Sequence, residues 1–283
     1  MCLFRYKRLV FQKNLLEAKM TTQIHYQHIR NATARLTYAG VTFLIDPYLG
    51  EKGAYAGFEG TVNSELRNPL IDLPFSIAET LKGVDAIIIT HTHDDHWDEA
   101  AQKHLPKDLP MFVQNAGDAR LIRSQGFQNV QVMGQGTAFQ GVTMFKTGGQ
   151  HGTDQMYSIP MLAEIAGDAM GVVFTAPNQK TLYLVGDTLW NHHVEHALQT
   201  HRPDVLVLNA GQAKLQGFDG SLIMGREDVL LASQKMPNAQ IITVHMDAVN
   251  HTTVTSEQMR QFVKENGLEK QVAVPKEGET VTC

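Results

Sequence analysis

The sequence predicts an α/β protein in which two mixed β-sheets face each other and helices cover their outer faces. Two observations support this prediction: each half of the chain is rich in strand patterns and finishes in helices, and no Pro- or Ser-rich linker divides the halves. With 43% hydrophobic residues in 283, the chain can fill a large core. We therefore expect one domain over residues 20–283, preceded by a basic extension over residues 1–19.

The first strand patterns begin at Ile24 and predict a hairpin. Residues 34–38 and 41–45 are rich in β-branched and aromatic side chains, and the Ala39-Gly40 pair between them is typical of a tight turn. Residues 47–75 contain many Gly, Pro and Asn residues and show no sustained period. An irregular connection of this length is usually functional or mobile, so we expect it to shape a binding pocket.

Strand and helix patterns alternate along the rest of the chain. The continuous apolar run Ala86–Thr90 suits a strand that is buried on both faces. The segment from Val130 to Val173 is predicted to be mostly strand. The last helix opens with the capping-box pattern Thr255-x-x-Gln258 and stops at Gly267. Further strands are predicted at 111–113, 181–185, 205–208 and 241–244, and further helices near 76–81, 98–104, 116–123, the 190s and 226–234.

The unusual feature of the composition is its thirteen histidines. Histidine supplies metal ligands and proton carriers near neutral pH. The two cysteines, Cys2 and Cys283, lie at opposite ends of the chain, which argues against a disulfide framework and a thiolate zinc cluster. A metal site would therefore use nitrogen and oxygen ligands, and a reducing, cytoplasmic location is expected.

The net charge of −5 is unevenly distributed. Residues 1–19 carry five basic side chains and one acidic one, so the remainder has 19 basic and 28 acidic residues, a net charge of −9. Such an acidic body repels a nucleic-acid backbone, so nucleic acid is not expected as a partner. No apolar run approaches a membrane span or a signal-peptide core. The extension is interpreted either as an arm that docks on a membrane or partner, or as chain upstream of a start at Met20.

The strongest chemical signal directly follows the predicted strand 86–90, in the run His91-Thr92-His93-Asp94-Asp95-His96. Side chains two residues apart at a strand end point the same way, so His91 and His93 can bind one ion. The next turn can present Asp95 and His96 to a second ion. Imidazole together with carboxylate suits Zn²⁺ first and Fe or Mn next.

Three further candidate ligands each follow a predicted strand, at the positions where binding groups collect in layered α/β folds. They are His151, Asp187 and His245. Asp187 has two carboxylate oxygens and can bridge two ions. The helix that follows Asp187 offers another pair, His192 and His196, which we interpret as surface residues because no carboxylate stands at ligand spacing.

In this combination the residues resemble the metallo-β-lactamase-fold hydrolases. The ordered motifs of that family are matched by Asp46, His91-x-His93-x-Asp95-His96, His151, Gly186-Asp187 and His245, and the resemblance extends from about Ile24 to Val274. Local segments at 31–33, 148–152 and 201–204 are similar to the ascorbate-6-phosphate-lactonase-like branch. The array is specific for the superfamily and not for a substrate.

The resemblance implies a four-layer αββα sandwich with two divalent metal ions between the sheets, zinc first and Mn or Fe as alternatives. One ion would be bound by His91, His93 and His151, and the other by Asp95, His96 and His245, with Asp187 bridging them. Asp46 would orient a ligand histidine. His251 lies six residues after His245 and competes with it as a ligand, or serves as a proton carrier.

These residues predict a binuclear, metal-dependent hydrolase that acts on a small metabolite, with a lactone or ester favoured. A hydroxide held between the ions would attack the substrate, Asp95 would orient it and carry its proton, and His251 is the candidate acid for the leaving group. An anionic substrate is considered because Lys214, Ser221 and Arg226 can meet an anion. A phosphodiesterase or nuclease, and an iron-dependent redox or oxygen enzyme, remain the alternatives. The sequence leaves the oligomeric state open, a homo-oligomer included.

Overall fold

Two seven-stranded mixed sheets form the centre of the structure, a computed structural model that describes residues 23–283. The first sheet has the strand order β14-β1-β2-β3-β4-β5-β6, and the second has the order β13-β12-β11-β10-β9-β8-β7. The predicted basic extension, residues 1–19, lies outside the described residues.

The strands of the first sheet are β1 His25–Arg30, β2 Thr33–Tyr38, β3 Val41–Ile45, β4 Ala86–Ile89, β5 Met111–Val113, β6 Val130–Val132 and β14 Thr280–Thr282. Those of the second sheet are β7 Gln135–Phe139, β8 Val142–Thr147, β9 Gly171–Thr175, β10 Leu182–Leu184, β11 Val205–Asn209, β12 Gln240–Val244 and β13 Val272–Ala273. The eight described helices are α1 Ile77–Leu81, α2 Glu99–His104, α3 Ala116–Ser124, α4 Asp154–Tyr157, α5 Pro160–Ala166, α6 His192–His201, α7 Arg226–Lys235 and α8 Ser256–Glu265.

The layers follow from which apolar faces are buried against each other. Side chains from both sheets, such as Phe43 and Phe174 with ring centroids 5.5 Å apart, form the central core. Helices α2 and α3 pack on the outer face of the first sheet, and α6, α7 and α8 pack on the outer face of the second. The predicted fold, two facing mixed sheets with helices outside, is confirmed.

The hairpin, the buried strand β4 and the capped last helix lie where the sequence predicts them. The side chain of Thr255 accepts a hydrogen bond from the backbone N–H of Gln258, and the side-chain oxygen of Gln258 accepts one from the backbone N–H of Thr255. This pair satisfies two donors at the helix start that would otherwise lack a partner.

The prediction of mostly strand from Val130 to Val173 is wrong in one part, because α4 and α5 lie within it. Thr153 caps α4 by accepting from the backbone N–H of Met156, and Pro160 occupies the first turn of α5, where its missing N–H costs nothing. Both helices are too short to show a helical period in the sequence. The terminal strand β14, which pairs with β1, was also not predicted.

The topology places the carboxyl ends of several strands at one edge of the sandwich. Strands β10, β11 and β12 are parallel, with Leu184 opposite Val207 and Asn209 opposite Val244. In the other sheet β3 and β4 are parallel, with Ile45 opposite Ile88. Residues that follow these strands therefore meet at one edge. Within residues 23–283 no helix is both long and apolar enough to cross a membrane.

Candidate metal centre

The seven predicted ligands converge at this edge of the sandwich, between the two sheets. They form three overlapping groups: His91, His93 and His151; His91, His96 and Asp187; and Asp95, His96 and His245. In each group the candidate ligand atoms all lie within 4.8 Å of one another. Two of the groups are the two sets that the resemblance implies for separate ions, and the third group joins them through Asp187.

Asp187 lies between the two sets. Its Oδ2 atom is 3.2 Å from Nε2 of His96, 3.5 Å from Nε2 of His245 and 3.6 Å from Nε2 of His151. One carboxylate oxygen therefore faces ring nitrogens from both sets, which is the placement that a bridging ligand needs.

The outer nitrogen of several rings is held by a group that can only accept a hydrogen bond. Nδ1 of His96 faces Oδ2 of Asp46 at 2.9 Å, and Nδ1 of His151 faces the carbonyl oxygen of Leu222 at 3.0 Å. Each of these rings therefore carries its hydrogen on the outer nitrogen, and its inner nitrogen presents a lone pair to the centre.

The same argument fixes His91 and His93. Nε2 of His93 donates to the carbonyl oxygen of Ile165 at 2.8 Å. The hydroxyl of Thr90 donates to Asp46, so it accepts from Nδ1 of His91 at 3.2 Å. The inner nitrogens of His91 and His93 are then two lone pairs only 3.0 Å apart.

Facing lone pairs repel unless a positive charge lies between or beside them. Nε2 of His96 and Nε2 of His245 are likewise only 3.1 Å apart, and the carboxylates of Asp95 and Asp187 face them. The donor set of imidazole nitrogens and carboxylate oxygens, with its hydrogens turned outward, fits divalent metal ions of the zinc type.

The electrostatics of the buried centre also favour a bound cation. Burial alone would lower the pKa of His96, but Asp187, Asp95 and Asp46 raise it well above the usual range. Burial would likewise raise the pKa of Asp187, yet His245 and His96 hold it well below the usual range. The carboxylates thus favour a positive charge here, which a proton or a metal ion can supply.

Two further rings, those of His151 and His91, behave differently because burial outweighs the effect of the nearby Asp187 carboxylate on their pKa values. Burial lowers the pKa of His151 to about 4, so this ring is neutral at pH 7 and its lone pair is available to a metal. Burial also lowers the pKa of His91 well below its usual range. Both are therefore in the protonation state that ligation requires.

His251 is buried and lies close to the centre, but it belongs to none of the three groups. Its ring makes an edge-to-face contact with Phe58, with centroids 5.0 Å apart. Of the two histidines that compete for the last ligand position, His245 is the one that the structure places with Asp95 and His96. His192 is exposed, and it likewise stands outside these groups.

Three polar residues at the centre were not singled out from the sequence. Asn209 donates from Nδ2 to Oδ1 of Asp187 at 2.6 Å, Asn31 donates from Nδ2 to Asp95, and Thr90 links Asp46 to His91. Asn209 ends β11 just as Asp187 and His245 follow their strands, so the same rule of polar residues at strand ends identifies it.

The backbone is strained at several of these positions. Asn31, Asp46 and His245 have φ angles of 57°, 41° and 63°, in the left-handed region that most side chains avoid. Non-glycine residues with left-handed backbone angles are concentrated at functional sites, where the surrounding structure holds them in that conformation. Here the strain places three polar groups at the edge between the sheets.

Comparison with known proteins identifies the family. A model of the beta-lactamase superfamily domain matches residues 41–246, which include every residue of the three groups. The chain belongs to the beta-lactamase superfamily. The UPF0173 protein YddR of Bacillus subtilis is 46% identical over 254 residues, 90% of this chain and 98% of that protein.

Solved structures agree with this membership of the beta-lactamase superfamily. A possible metal-dependent hydrolase from Veillonella parvula is 50% identical, with a TM-score of 0.91, and the match covers 93% of this chain and 100% of that one. An isothiocyanate hydrolase from Delia radicum gut bacteria is 44% identical, with a TM-score of 0.88, and the match covers 91% and 98%. Other UPF0173 relatives are named metal-dependent hydrolases. This superfamily member is a metal-dependent hydrolase with the metallo-β-lactamase fold.

Proposed function

We propose that the chain is a binuclear hydrolase. One ion would be bound by His91, His93 and His151, and the other by Asp95, His96 and His245, with Asp187 bridging. The observation that carries this proposal is the convergence of five histidine rings and Asp95 around Asp187, the carboxylate that faces rings of both sets. When bound, a pair of divalent ions supplies an activated water and a Lewis acid. The ligand chemistry favours zinc, with manganese or iron next.

The chain's own residues hold the reacting groups and move the proton. Oδ2 of Asp95 lies 3.2 Å from Nε2 of His245, at the second set of ligands. In this position Asp95 can accept a hydrogen bond from the attacking water, aim its lone pair at the substrate and receive its proton. Burial would raise the pKa of Asp95, but His96 and His245 hold it well below the usual range, so the carboxylate is ionised and ready to accept.

His251 has a different role from the imidazolium acid that its sequence position suggests. Burial lowers its pKa to about 4, so the ring is neutral at pH 7. A neutral ring offers one N–H and one lone pair. We propose that His251, held by its contact with Phe58, donates a hydrogen bond to the leaving group and does not enter the reaction as a charged acid.

The favoured substrate is a small molecule with an electrophilic carbon. Of the cations expected to meet an anion, Lys214 lies beside His251, whose carbonyl oxygen accepts from the Lys214 backbone N–H at 3.0 Å, and Arg226 is remote. The Arg226 guanidinium lies over the ring of Phe262 on the outer layer, 5.9 Å from its centroid. The segment 147–179, which contains His151 and the carbonyl partner of His93, has no Lys or Arg but has three acidic residues. An anionic substrate would therefore depend on Lys214 and on the bound metal ions for its positive partners.

Isothiocyanates are the leading candidates within this class, because the solved isothiocyanate hydrolase is 44% identical and the match covers 98% of its chain. Water would add to the central carbon to give a thiocarbamate, which breaks down to an amine and carbonyl sulfide. Lactones and esters present a similar electrophilic carbon and remain the second candidate, as the resemblance to the lactonase-like branch predicts.

A screen of the purified protein, combined with elemental analysis, tests the proposal. The panel contains allyl and phenethyl isothiocyanate, lactones, esters, phosphomonoesters and phosphodiesters. Turnover of isothiocyanates or lactones with about two zinc or manganese ions per chain supports it. Turnover confined to phosphodiesters would favour the nuclease alternative, and iron with oxygen consumption would favour the redox alternative.

Variants of the candidate ligands distinguish a loss of the metal site from a general loss of folding. His91→Ala and Asp187→Ala are expected to lose metal and activity together, because each removes a ligand from the convergent groups. His104→Ala, at an exposed histidine at the end of α2, is the matched control and should retain both. Full metal content and activity in Asp187→Ala would exclude the bridging role.

A further inference from the structure

Asn31 occupies the turn between β1 and β2, and its side chain reaches the second set of ligands. Nδ2 lies 3.1 Å from the carbonyl oxygen of Asp95, 3.3 Å from Oδ2 of Asp95 and 3.3 Å from Nε2 of His245. The two Asp95 oxygens can only accept a hydrogen bond. The orientation of the amide is therefore fixed, because the flipped amide would place its oxygen against both of them.

The backbone of Asn31 contacts the same ligand. The backbone N–H of His245 donates to the carbonyl oxygen of Asn31 at 3.1 Å, and Nε2 of His28 donates to that oxygen at 3.0 Å. Asn31 thus contacts His245 through both its main chain and its side chain. This contact connects a turn of the first sheet to a ligand that follows β12 of the second sheet.

The amide hydrogens can be assigned one by one. A primary amide has two, and one of them is directed at the backbone carbonyl of Asp95. The other lies between Oδ2 of Asp95 and Nε2 of His245. When the His245 lone pair binds a metal, the carboxylate remains as the acceptor, because its oxygen has a further lone pair. The first set, His91, His93 and His151, has no such contact with Asn31 among the hydrogen bonds of residues 23–283.

We propose that Asn31 is a positioning residue for the second metal ion alone. It orients Asp95 and His245 and leaves the ion at His91, His93 and His151 unaffected. The inference rests on the proposed binuclear function. Asn209 provides the contrast, because its amide is bonded to Asp187, the carboxylate that faces both sets.

The experiment is a chelator competition on the metal-loaded full chain, in which a coloured chelator records the release of each zinc ion. The variants are Asn31→Gly and Asn31→Asp. Glycine suits the φ of 57° and removes the amide, whereas aspartate keeps the shape but directs an oxygen at Asp95. The control is Asn178→Gly, the same change at an exposed residue with a φ of 61°.

We expect the wild type and Asn178→Gly to release two ions in two phases. In both Asn31 variants, the phase that reports the second ion should show an affinity about 10–100-fold lower than in the wild type. The phase that reports the first ion should be unchanged, whichever of the two ions binds more tightly. Asn209→Ala should weaken both phases. A cobalt-loaded sample should show the change in only one of its two absorption components, which a general loss of stability would not produce.

Three results would overturn the inference. If Asn31→Gly releases two ions with affinities within about twofold of those of the wild type, the Asn31 amide does not position the ligands of the second ion. Equal weakening of both phases would indicate a general structural role. Release of one ion by the wild type would instead overturn the binuclear proposal, and this inference with it, so the two failures are distinguishable.

Discussion

Oδ2 of Asp46 lies 2.9 Å from Nδ1 of His96 in the buried wall of the candidate metal centre. The same carboxylate accepts from the backbone N–H and the hydroxyl of Thr90, both at 2.7 Å. The Thr90 hydroxyl in turn accepts from His91. One carboxylate that is not itself among the candidate ligand groups therefore fixes a ring in each set.

Asp46→Asn is expected to lower metal affinity and activity by about 10–100-fold. Asparagine is the same size but has only one acceptor oxygen, so its NH₂ group would face a donor in either orientation, Nδ1–H of His96 or the backbone N–H of Thr90. The charge of the hydrogen bond to His96 is lost in both orientations. The ring would lose the preference for carrying its hydrogen on the outer nitrogen. Isothermal titration of the metal and steady-state kinetics measure both effects.

Asp85→Asn is the matched control for this prediction. Asp85 also accepts from a backbone N–H, that of Thr42 at 2.9 Å, in the same sheet but before β4 and away from its carboxyl end. Metal affinity should be unchanged in this variant. Equal losses in Asp85→Asn and Asp46→Asn would contradict a specific role for Asp46.

The fold and the convergence of candidate ligands were predictable because both depend on local patterns. An apolar strand such as β4 that ends in closely spaced histidines carries its signal within ten residues of sequence. Parallel strand order then brings the ends of β10 and β12 together without further information. The family and the class of reaction followed from this ordered set.

The supporting contacts were not predictable in the same way. The carbonyl oxygens of Ile165 and Leu222 fix the rings of His93 and His151, and a backbone carbonyl has no signature in the sequence. Asn31 reaches Asp95 across 64 residues of chain, a pairing that only the folded topology determines. The short helix that presents Ile165 was itself predicted as strand, because seven residues are too few to show a helical period.

Arg30→Lys is expected to destabilise the fold by about 3 kcal/mol. The guanidinium is fully buried and donates to the carbonyl oxygens of Tyr48 and Gly50 at 2.7 and 2.8 Å, and of Ile71 at 3.1 Å. A single ammonium cannot reach both ends of the 47–75 segment as the planar guanidinium does. Chemical denaturation measures the loss, and kcat/KM should fall by up to about 100-fold if the segment shapes the pocket.

The control for Arg30 is Arg35→Lys. Arg35 also donates to two carbonyl oxygens, those of Glu79 and Lys82, but at a half-buried position beside α1. Solvent replaces these contacts, so we expect a loss of less than about 1 kcal/mol and unchanged kinetics. A stability loss in Arg30→Lys no larger than in Arg35→Lys would show that the segment does not depend on this anchor.

His251→Asn is expected to make the protein less sensitive to acid. Burial lowers the pKa of His251 from an ordinary 6.5 to about 4, so between these values the unfolded chain takes up a proton that the folded chain does not. Its contribution to stability is complete above pH 6.5 and is lost as the pH falls towards 4, by roughly 3 kcal/mol. The variant lacks this loss.

Urea unfolding at a series of pH values from 7.5 to 4 measures the difference in slope. His104→Asn, at the exposed end of α2, should keep the wild-type slope. If His251→Asn loses stability with falling pH as steeply as the wild type does, the ring is not held neutral by burial.

Gly211→Ala is expected to be among the most damaging single substitutions in the chain. A Cβ at this position would overlap the carbonyl oxygen of His245 and approach Cγ2 of Thr252 to 2.6 Å. The first neighbour is backbone, so no side-chain rotation relieves the overlap, and the backbone at Gly211 or at the ligand candidate His245 must shift. We expect about 3 kcal/mol of lost stability and weakened binding of the second metal ion.

Gly134→Ala adds the same methyl group where nothing lies within 4 Å, and it should leave the unfolding midpoint and the metal content unchanged. Because the overlap with His245 is independent of Thr252, the double variant with Thr252→Ala should not recover metal binding. Recovery would place the conflict at the Thr252 side chain and remove the argument for a displaced ligand.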